Sequence, residues 1–529
     1  MGIYLNPGNK GFRESVYSEI YVDKTGLIKY TNKYLNTKQK FICVSRPRRF
    51  GKSMALEMLA AYYSHACDSR ELFAGLEIEN DPIFLKFLNK YDVICLNMQQ
   101  FLIESEKLEV TKYLEREVMR ELRAEYKEFL SGEEVGLASV LRQVYAKTGQ
   151  EFVFLIDEWD CVMRERQEAE ELQKQYLDFL RNLLKDQDYV ALAYMTGILP
   201  VKKYGVHSAL NMFMEYSMTD QKGLEEYTGF TEEEVKGLCE RFHMDFEEVS
   251  GWYDGYQMIR FQHIYNPKSV VEAMLCGRCS NYWTATETYD ALKIYIDMDF
   301  DGLREDIVQL LGGGSIEVDT GSFQNDMKTF RTKDDVLTLL VHLGYLAYDS
   351  VEEKAFIPNN EIIGEFRRAM RAGGWENVMK VIADSERLLQ NTLEGREDEV
   401  AAALDHAHTE IASNLDYNNE FAMGCAVILA YWSVRKDYKI IREMPAGYGY
   451  ADIVFLPLPG RNKPAIVVEL KYNKTAETAI RQIKDKKYAD VLRDYSGEVV
   501  LVGVNYDKDK KDEGHSCRIE RVEHPGVIS

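Results

Sequence analysis

Three groups of residues have types and spacings suited to chemistry on phosphates, and the first is Gly51-Lys52-Ser53. It follows a strand-like run, FICVS at 41–45, and opens a helical stretch. Backbone N–H groups and a helix N-terminus hold phosphate oxygens, a lysine neutralises the β- and γ-phosphates, and a serine hydroxyl binds Mg²⁺. The loop departs from GxxxxGK[ST] because Arg46 replaces the first glycine. On these three residues alone, chance placement after a strand remains an alternative.

The second group is Asp157-Glu158, at the end of the apolar run EFVFLIDEWD. In this arrangement the Asp holds Mg²⁺ through water and the Glu activates the attacking water for phosphoryl transfer. The alternative is that the two acids only cap a following helix. The presence of Lys52 upstream weakens that alternative. The next strand-like run ends at Thr196-Gly197, where Thr196 either senses the γ-phosphate or begins a turn. Together these residues predict ATP hydrolysis.

The third group lies on a predicted C-terminal hairpin, with strands at about 450–458 and 465–472 around PGRNKP. With a turn at 459–464, opposed residues have numbers that sum to 923, so Lys471 faces Asp452 and Glu469 faces Val454. The two carboxylates then lie diagonally, about 7–8 Å apart, and share one metal ion such as Mg²⁺. Lys471 would orient or deprotonate water, or stabilise charge on phosphate. An amphipathic hairpin with a solvated salt bridge remains an alternative.

Residues flanking this hairpin add polar groups to the same predicted site. Glu443 stands on the run before Asp452, and the helix after the hairpin offers Gln482, Lys486 and Lys487 toward phosphate. A lysine-rich solvent face of that helix is the alternative.

The elements that must position these groups fall into three regions. Residues 1 to about 225 alternate apolar runs with helical stretches, which predicts a parallel sheet covered by helices. Between about 226 and 400 the periodicity is mainly helical, with a Thr231/Glu234 capping box and a wing-like GYLAYDSVEEKAFIPNNE after the helix VLTLLVHL. The remainder predicts strands and helices around the third group.

The composition narrows the classes of protein to which the chain can belong. The chain of 529 residues allows roughly three or four domains. Its net charge of −22 argues against a general basic coating for nucleic acid or membrane, although a local basic groove remains open. Nine scattered cysteines favour a reducing compartment, with Cys276 and Cys279 either two spaced thiols or a metal site. The start lacks an apolar leader and no run is long enough to span a bilayer, so we expect a cytoplasmic protein without a membrane partner.

With these residues in hand, the chain resembles the bacterial family that joins an AAA-ATPase-like domain to a C-terminal PD-(D/E)xK nuclease domain. YVDKTGLIKY and SRPRRFGKSM match its YVDKT and RPRRFGK motifs, so Arg46 belongs to the family's own form of the loop. FVFLIDEWD, YMTGILP, GFTEEEV, GWYDGY with YNPKSV, and GYLAYD with IPNNEI resemble further landmarks. The last four of these imply lid and connector cores rather than chemistry.

The nuclease part resembles the family pattern E…GxGRxD…ExK…QI…Y. That pattern falls on Glu443, Gly447, Gly449, Asp452, Glu469, Lys471, Gln482, Ile483 and Tyr488. Tyr450 stands where the family usually has arginine. Glu420 is either the first acidic residue of the pattern or a glutamate favoured by a helix N-terminus.

The residues and the resemblance together give one prediction of fold. We expect an α/β multidomain chain: a RecA-like P-loop parallel sheet at 1–225, a helical lid and winged-helix-like connector at 226–400, and a restriction-endonuclease-like α/β domain at 401–529.

The predicted function is ATP binding and hydrolysis coupled to Mg²⁺-dependent cleavage of nucleic acid. DNA is favoured over RNA as the substrate. The alternative is an ATP-operated switch that binds nucleic acid or protein without cutting, and assembly as a homo-oligomer is left open. The predicted catalytic residues are Glu158, Asp452, Glu469, Lys471 and Gln482. The predicted nucleotide-binding residues are Arg46, Pro47, Arg48, Arg49, Phe50, Gly51, Lys52, Ser53, Met54, Asp157 and Thr196. The predicted metal ligands are Ser53, Asp157, Asp452 and Glu469.

Overall fold

The structure is a computed structural model that describes most of the chain. The described residues are 2–105, 110–130, 132, 134–201, 210–283, 289–298, 300, 302–324, 330–411, 419–446, 449–486, 492, 497–510 and 514–522.

The helices are α1 (Lys10–Val16), α2 (Gly26–Tyr34), α3 (Lys52–Tyr63), α4 (Phe84–Phe87), α5 (Met98–Glu104), α6 (Val110–Glu125), α7 (Leu137–Thr148), α8 (Cys161–Glu165), α9 (Glu170–Leu184), α10 (Glu232–Phe242), α11 (Phe246–Tyr253), α12 (Pro267–Cys276), α13 (Tyr289–Ile296), α14 (Leu303–Leu311), α15 (Lys333–Leu343), α16 (Asn360–Arg371), α17 (Glu376–Leu393), α18 (Glu397–Ile411), α19 (Glu420–Ala430) and α20 (Ala476–Asp485). The strands are β1 (Phe41–Ser45), β2 (Asp92–Asn97), β3 (Phe152–Asp157), β4 (Val190–Gly197), β5 (Met214–Tyr216), β6 (Phe230–Thr231), β7 (Ile264–Tyr265), β8 (Ile316–Glu317), β9 (Ala347–Asp349), β10 (Lys354–Phe356), β11 (Tyr438–Ala446), β12 (Gly449–Pro457), β13 (Ala465–Tyr472), β14 (Val499–Tyr506) and β15 (His515–Val522).

The N-terminal sheet is parallel, with the strand order β2-β3-β4-β1-β5. Its strands read as continuous apolar runs because both faces are covered. On β3, Phe154 and Ile156 join one hydrophobic core, while Val153 and Leu155 join the other. This double burial is the reason that a covered parallel sheet could be predicted from apolar runs.

The sheet order brings the polar strand ends together. β4 lies between β1 and β3, with Val44 opposite Thr196, and β2 places Asn97 opposite Asp157. Because parallel strands end at the same edge, ligands of such sheets bind outside their carboxyl ends.

The middle of the chain contains the predicted capping box and the predicted helix-strand-strand sequence. The backbone N–H of Thr231 donates to Glu234 at 2.8 Å, and the Glu234 N–H donates back to the Thr231 hydroxyl at 3.4 Å. Further on, α15 is followed by the short strands β9 and β10, as the wing-like pattern predicted.

The C-terminal sheet is mixed, with the order β11-β12-β13-β14-β15 and a parallel β13–β14 pair. Helix α20 follows β13 and packs on β13, β14 and β15. A Cβ on Gly503 of β14 would lie 2.5 Å from the carbonyl oxygen of Ala476, so only glycine permits this close approach. Gly503 is the β14 partner of Glu469, which places α20 on the sheet face that carries Glu469.

The chain divides into two compact units. The first comprises Met1–Leu238, Gly255–Glu272 and Val318–Glu353. The second comprises Cys239–Asp254, Ala273–Glu317 and Lys354–Ser529. Within the described ranges, every helix is too short or too polar to cross a lipid bilayer.

Candidate functional site

The first site is the loop between β1 and α3. Gly51 precedes α3 with φ of +83°, and Arg49 also has a positive φ of +69°. The buried Lys52 ammonium donates to the carbonyl oxygens of Arg46 and Pro47 at 2.9 and 2.8 Å. Burial lowers the Lys52 pKa, and the nearby Glu158 and Asp157 oppose that shift. The lysine cation therefore lies at the N-terminus of α3, against the loop backbone.

Asp157 is the centre of the polar contacts at the strand ends. It accepts hydrogen bonds from the Ser53 hydroxyl at 2.6 Å, the Thr196 hydroxyl at 2.5 Å and the Glu158 N–H at 3.0 Å. Helix α3, strand β4 and the residue after β3 thus each donate to one carboxylate, which brings Ser53, Asp157 and Thr196 together.

Glu158 adopts an unusual backbone conformation, with φ of +52°. Its carboxylate is paired with the buried Arg164. Burial raises the Glu158 pKa, while Lys52 and Arg164 act in the opposite direction. Glu158 is therefore a carboxylate of raised basicity that is held by an arginine.

Two of the predicted nucleotide-binding side chains, those of Arg46 and Phe50, are buried in the protein and hold the loop in place. The fully buried Arg46 guanidinium donates to the Ser45 and Tyr216 carbonyls at 3.0 and 3.1 Å and to the Thr228 hydroxyl at 3.2 Å. Phe50 is also buried, and its ring packs edge-on against the Tyr256 ring at 5.1 Å.

The front of the loop faces a cleft of about 550 Å³. Arg48 is exposed there, and Met54, in the first turn of α3, is 47% exposed. The lining residues are Arg48, Ser53, Asn97, Gln99, Gln100, Ile103, Glu104, Asp157, Glu158 and Glu165.

Sequence reasoning missed Asp160 and Arg164. Asp160 accepts the N–H groups of Ile198 and Leu199 at 3.1 and 2.8 Å, and it also accepts from Arg164 Nε at 3.0 Å. Their i, i+4 spacing on one helix face was the available signal. These contacts fix Arg164 beside Glu158.

The second site lies on β12 and β13, and the predicted register of this hairpin is wrong. The observed partners are Ile453–Val468, Val454–Val467 and Phe455–Ile466, so opposed residue numbers sum to 921 rather than 923. The turn begins one residue earlier than predicted, because Arg461 N–H closes onto the Leu458 carbonyl with Gly460 at φ of +75°. Proline followed by glycine at the centre of a turn favours this geometry.

The corrected register brings the carboxylates closer and leaves the faces unchanged, since a shift of two residues preserves side-chain direction. Asp452 now stands opposite Glu469 and accepts the Leu470 N–H at 2.7 Å. The Lys471 ammonium donates to Glu469 Oε1 at 2.7 Å and to the Leu470 carbonyl at 2.8 Å. The side chains of Asp452, Glu469 and Lys471 therefore lie together on one sheet face.

The two carboxylates on this face are in an environment that disfavours their charged forms. Glu469 is 0% exposed, and its Oε2 makes no hydrogen bond to any described residue. Burial, and then repulsion by Asp452, raise the pKa of Glu469 to about 7. Burial also raises the Asp452 pKa, with smaller contributions from Glu420 and Glu443.

Glu443 and Glu420 surround the carboxylate pair. The β11 ladder pairs Arg442 with Ile453 and Met444 with Ala451, so Glu443 lies across from Asp452, with φ of +46°. Glu420 is in the first turn of α19, after the capping Asn419. Nevertheless, across the described residues no three His, Cys, Asp or Glu side chains form a complete metal cage.

The remaining predicted residues lie around this centre. Gln482 is half-buried on α20, one turn before Lys486. Tyr450 is 62% exposed and lies two residues before Asp452 on β12, and therefore on the same face. Gly447, Lys487 and Tyr488 lie outside the described residues.

Among the described residues, Cys276 and Cys279 do not belong to a cluster of three or more metal-ligating side chains. Cys276 is exposed and Cys279 half-buried, and both are free. Burial raises the Cys279 pKa to about 12, so the free side chain is held as the thiol.

Comparison with protein families defines the class. Residues 11–207 match the family described as predicted AAA-ATPase, and residues 424–515 match the PD-(D/E)XK nuclease superfamily. The chain thus joins an AAA-ATPase-like domain to a C-terminal PD-(D/E)XK nuclease superfamily domain, which confirms the resemblance seen in its motifs.

Individual relatives are more distant. An uncharacterized protein in the vnfD 5′ region of Azotobacter chroococcum mcd 1 is 24% identical over 535 residues, with 93% of each chain covered. Among solved structures, the Aeropyrum pernix ORC2 protein in ADPNP–ADP complexes matches with a TM-score of 0.31 and 11% identity, over 68% of this chain and 97% of that one.

Proposed function

We propose that this chain is a cytoplasmic enzyme that binds and hydrolyses ATP and that uses Mg²⁺ to cleave nucleic acid phosphodiesters. DNA is favoured over RNA as its substrate. The observation that carries the proposal is the meeting of Asp452, Glu469 and Lys471 on one sheet face. The same chain pairs Ser53 with Asp157 beside a phosphate-binding type of loop.

The loop has the donors that a nucleotide phosphate needs. Lys52 is held by two neutral carbonyls, and a phosphate would replace them with anionic acceptors that pair with the lysine charge. The Ser53 hydroxyl and the Asp157 carboxylate are hard oxygen ligands of the kind that Mg²⁺ prefers. When bound, Mg²⁺ would neutralise charge that develops on the transferring phosphoryl group.

Glu158 is the residue placed to accept a proton from the attacking water. Its raised pKa makes it a better base than an ordinary carboxylate. Arg164 limits where that carboxylate points, so Arg164 is a positioning residue for the proposed hydrolysis.

The C-terminal site fits a divalent cation. Asp452 and Glu469 bring two carboxylates together, and the buried Glu469 Oε2 lacks a partner among the described residues. Mg²⁺ commonly takes one or two carboxylates and keeps its waters, so a complete cage of side chains is not required. When bound, the metal would polarise the phosphoryl oxygen and lower the pKa of its water.

Lys471 and Gln482 supply the polar groups for the nucleic acid itself. The Lys471 ammonium is fixed by Glu469 and the Leu470 carbonyl, where it can stabilise negative charge that grows on the phosphate. Gln482 projects from the helix that covers the same face and would contact the backbone of the substrate.

The test is a cleavage assay of the purified full chain on duplex and single-stranded DNA and RNA, with and without Mg²⁺ and ATP. We expect Mg²⁺-dependent cutting by the wild type and none by Asp452→Asn. Nucleotide and nucleic acid binding without any cutting would instead favour the ATP-operated binding switch. A wild-type chain that neither binds nucleotide nor cuts would refute the proposal.

A further inference from the structure

Helix α16 buries its acidic residues and leaves its arginines partly or fully exposed. Glu361 and Glu365 are each 1% exposed. Arg367 and Arg368 are partly exposed and Arg371 is exposed. The solvent side of this helix is therefore basic, in a chain whose net charge is −22.

The buried acids are already engaged. Glu361 accepts the N–H groups of Tyr282 and Trp283 at 2.7 and 3.0 Å. Glu365 accepts from Asn281 and from Arg368, both at 2.6 Å. Only Arg368 is neutralised by these contacts.

Among the described residues, Arg367 and Arg371 have no counter-ion. Within the part of the chain that the structure describes, neither side chain makes an ion pair, and the Arg367 Nε has no hydrogen-bond partner. Burial and the charge of Arg371 lower the Arg367 pKa. Like charges at i, i+4 destabilise a helix, so this pair costs stability unless an anion binds there.

Two further cations extend the surface past the end of α16. Lys293 donates to the Ala372 carbonyl at 3.0 Å. Arg304 donates to the Gly374 carbonyl at 2.8 Å and lies over the Trp375 ring at 5.0 Å. The neighbouring carboxylate of Asp297 accepts the Trp375 indole N–H at 2.9 Å. We call Lys293, Arg304, Arg367, Arg368 and Arg371 the α16 basic face.

We propose that the α16 basic face binds the phosphate backbone of the nucleic acid on which the C-terminal domain acts. The inference rests on the proposed function and adds a surface to it. Guanidinium groups present planar pairs of donors that match phosphate oxygens, and such contacts do not depend on base sequence. Because the rest of the chain is strongly acidic, a local basic face would decide where a polyanion can approach.

The experiment compares the full-length double variant Arg367→Ala/Arg371→Ala with wild type. Binding to fluorescent duplex and single-stranded DNA is measured by anisotropy over a range of salt concentrations, with EDTA present to prevent cutting. Loss of two phosphate contacts should flatten the slope of log K against log salt by about 1.4–1.8, since each contact contributes about 0.7–0.9. Affinity should fall about tenfold or more.

Two controls keep the readout specific. Arg387→Ala removes an exposed arginine of α17 that already pairs with Asp384, and its salt slope should stay at the wild-type value. The Arg367→Lys/Arg371→Lys variant keeps both charges and should retain most of the slope. ATP hydrolysis should be unchanged in all three variants.

The outcomes separate this inference from the proposed function. A wild-type chain that neither binds nor cuts nucleic acid would refute both. Normal cutting and binding with an unchanged slope in the double alanine variant would overturn only the α16 basic face. Variant-sensitive binding to phosphatidylserine vesicles, with DNA binding unaffected, would overturn it as well.

Discussion

Replacement of Lys52 and replacement of Glu158 should impair ATP turnover in different ways. Lys52→Ala removes the cation from the loop, so it should lose nucleotide affinity and turnover together. Glu158→Gln removes only the base and should keep ATP bound while turnover falls by a factor on the order of 100 or more. Filter retention of radiolabelled ATP and phosphate release, measured on the same preparations, distinguish the two.

Glu165→Gln is the matched control for this comparison. Glu165 lines the same cleft but, among the described residues, makes no hydrogen bond to Asp157. It should hydrolyse ATP at nearly the wild-type rate. Wild-type hydrolysis by Glu158→Gln would show that Glu158 is not the base.

Glu469 should make the metal-free protein less stable as pH rises. Its pKa is about 7 in the folded chain against an ordinary value of 4.5, so the folded state holds the proton more tightly. The stability gained from that proton is fully present below about pH 4.5 and is lost as pH rises through about 7. Relative to Glu469→Gln, the wild type should therefore lose about 3 kcal/mol over this interval.

Urea unfolding in EDTA at several pH values measures that difference. Glu477→Gln, on the exposed first turn of α20, is the control. The Glu477 pKa is lowered by hydrogen bonds, so its difference from wild type should run in the opposite direction and be small. A pH-independent difference for Glu469→Gln would contradict the raised pKa.

At the level of elements, the register of β12 and β13 can be tested by paired cysteines. Directly opposed residues have Cβ atoms about 4.5–5.5 Å apart, and diagonal ones lie beyond the reach of a disulfide. Val454→Cys with Val467→Cys should therefore crosslink on mild oxidation. Val454→Cys with Glu469→Cys, the pair that the 923 register would oppose, should not.

Peptide mass mapping identifies the bond among the nine native cysteines. Because both double variants share Val454→Cys, a difference between them reports the register and not the reactivity of one position. Crosslinking of the second pair alone would restore the predicted register.

The elements were largely predictable because their signals are local. Apolar runs identify β1 and β3 since both faces of the sheet are buried, and the acids at the end of β3 follow directly. The hairpin faces were also predictable, whereas the register depended on a turn that begins at Leu458, which alternation alone does not reveal.

The contacts that could not be predicted join distant segments. Arg46 looked like a phosphate-facing residue, but its partners, Tyr216 and Thr228, become neighbours only when the sheet forms. Arg164 reaches Glu158 through a short helix whose position is set by Asp160 and the β4 terminus. Such contacts depend on tertiary structure and leave little trace in sequence spacing.

At the level of the whole molecule, the two sites lie in different compact units, one with Lys52 and Asp157 and the other with Asp452 and Glu469. Asp452→Asn should therefore hydrolyse ATP at the wild-type rate while it loses Mg²⁺ affinity at the C-terminal site. Lys52→Ala should show the converse. Phosphate release and titration calorimetry with Mg²⁺ measure the two properties independently.

Folded Asp452→Asn protein that has lost ATP hydrolysis would contradict this independence. Circular dichroism of each variant establishes that folding is retained. Comparison of wild-type cutting with and without ATP then measures how far one unit influences the other.

The buried Arg46 also has a mechanical consequence. Its guanidinium fastens the first residue of the loop to the Tyr216 carbonyl on β5 and to the Thr228 hydroxyl. A glycine at this position would let the loop flex alone. Here, Arg46 ties the loop to two other stretches of chain, 170 and 182 residues away in sequence. We therefore expect the loop and the end of the neighbouring strand β5 to move together when the occupancy of the cleft changes.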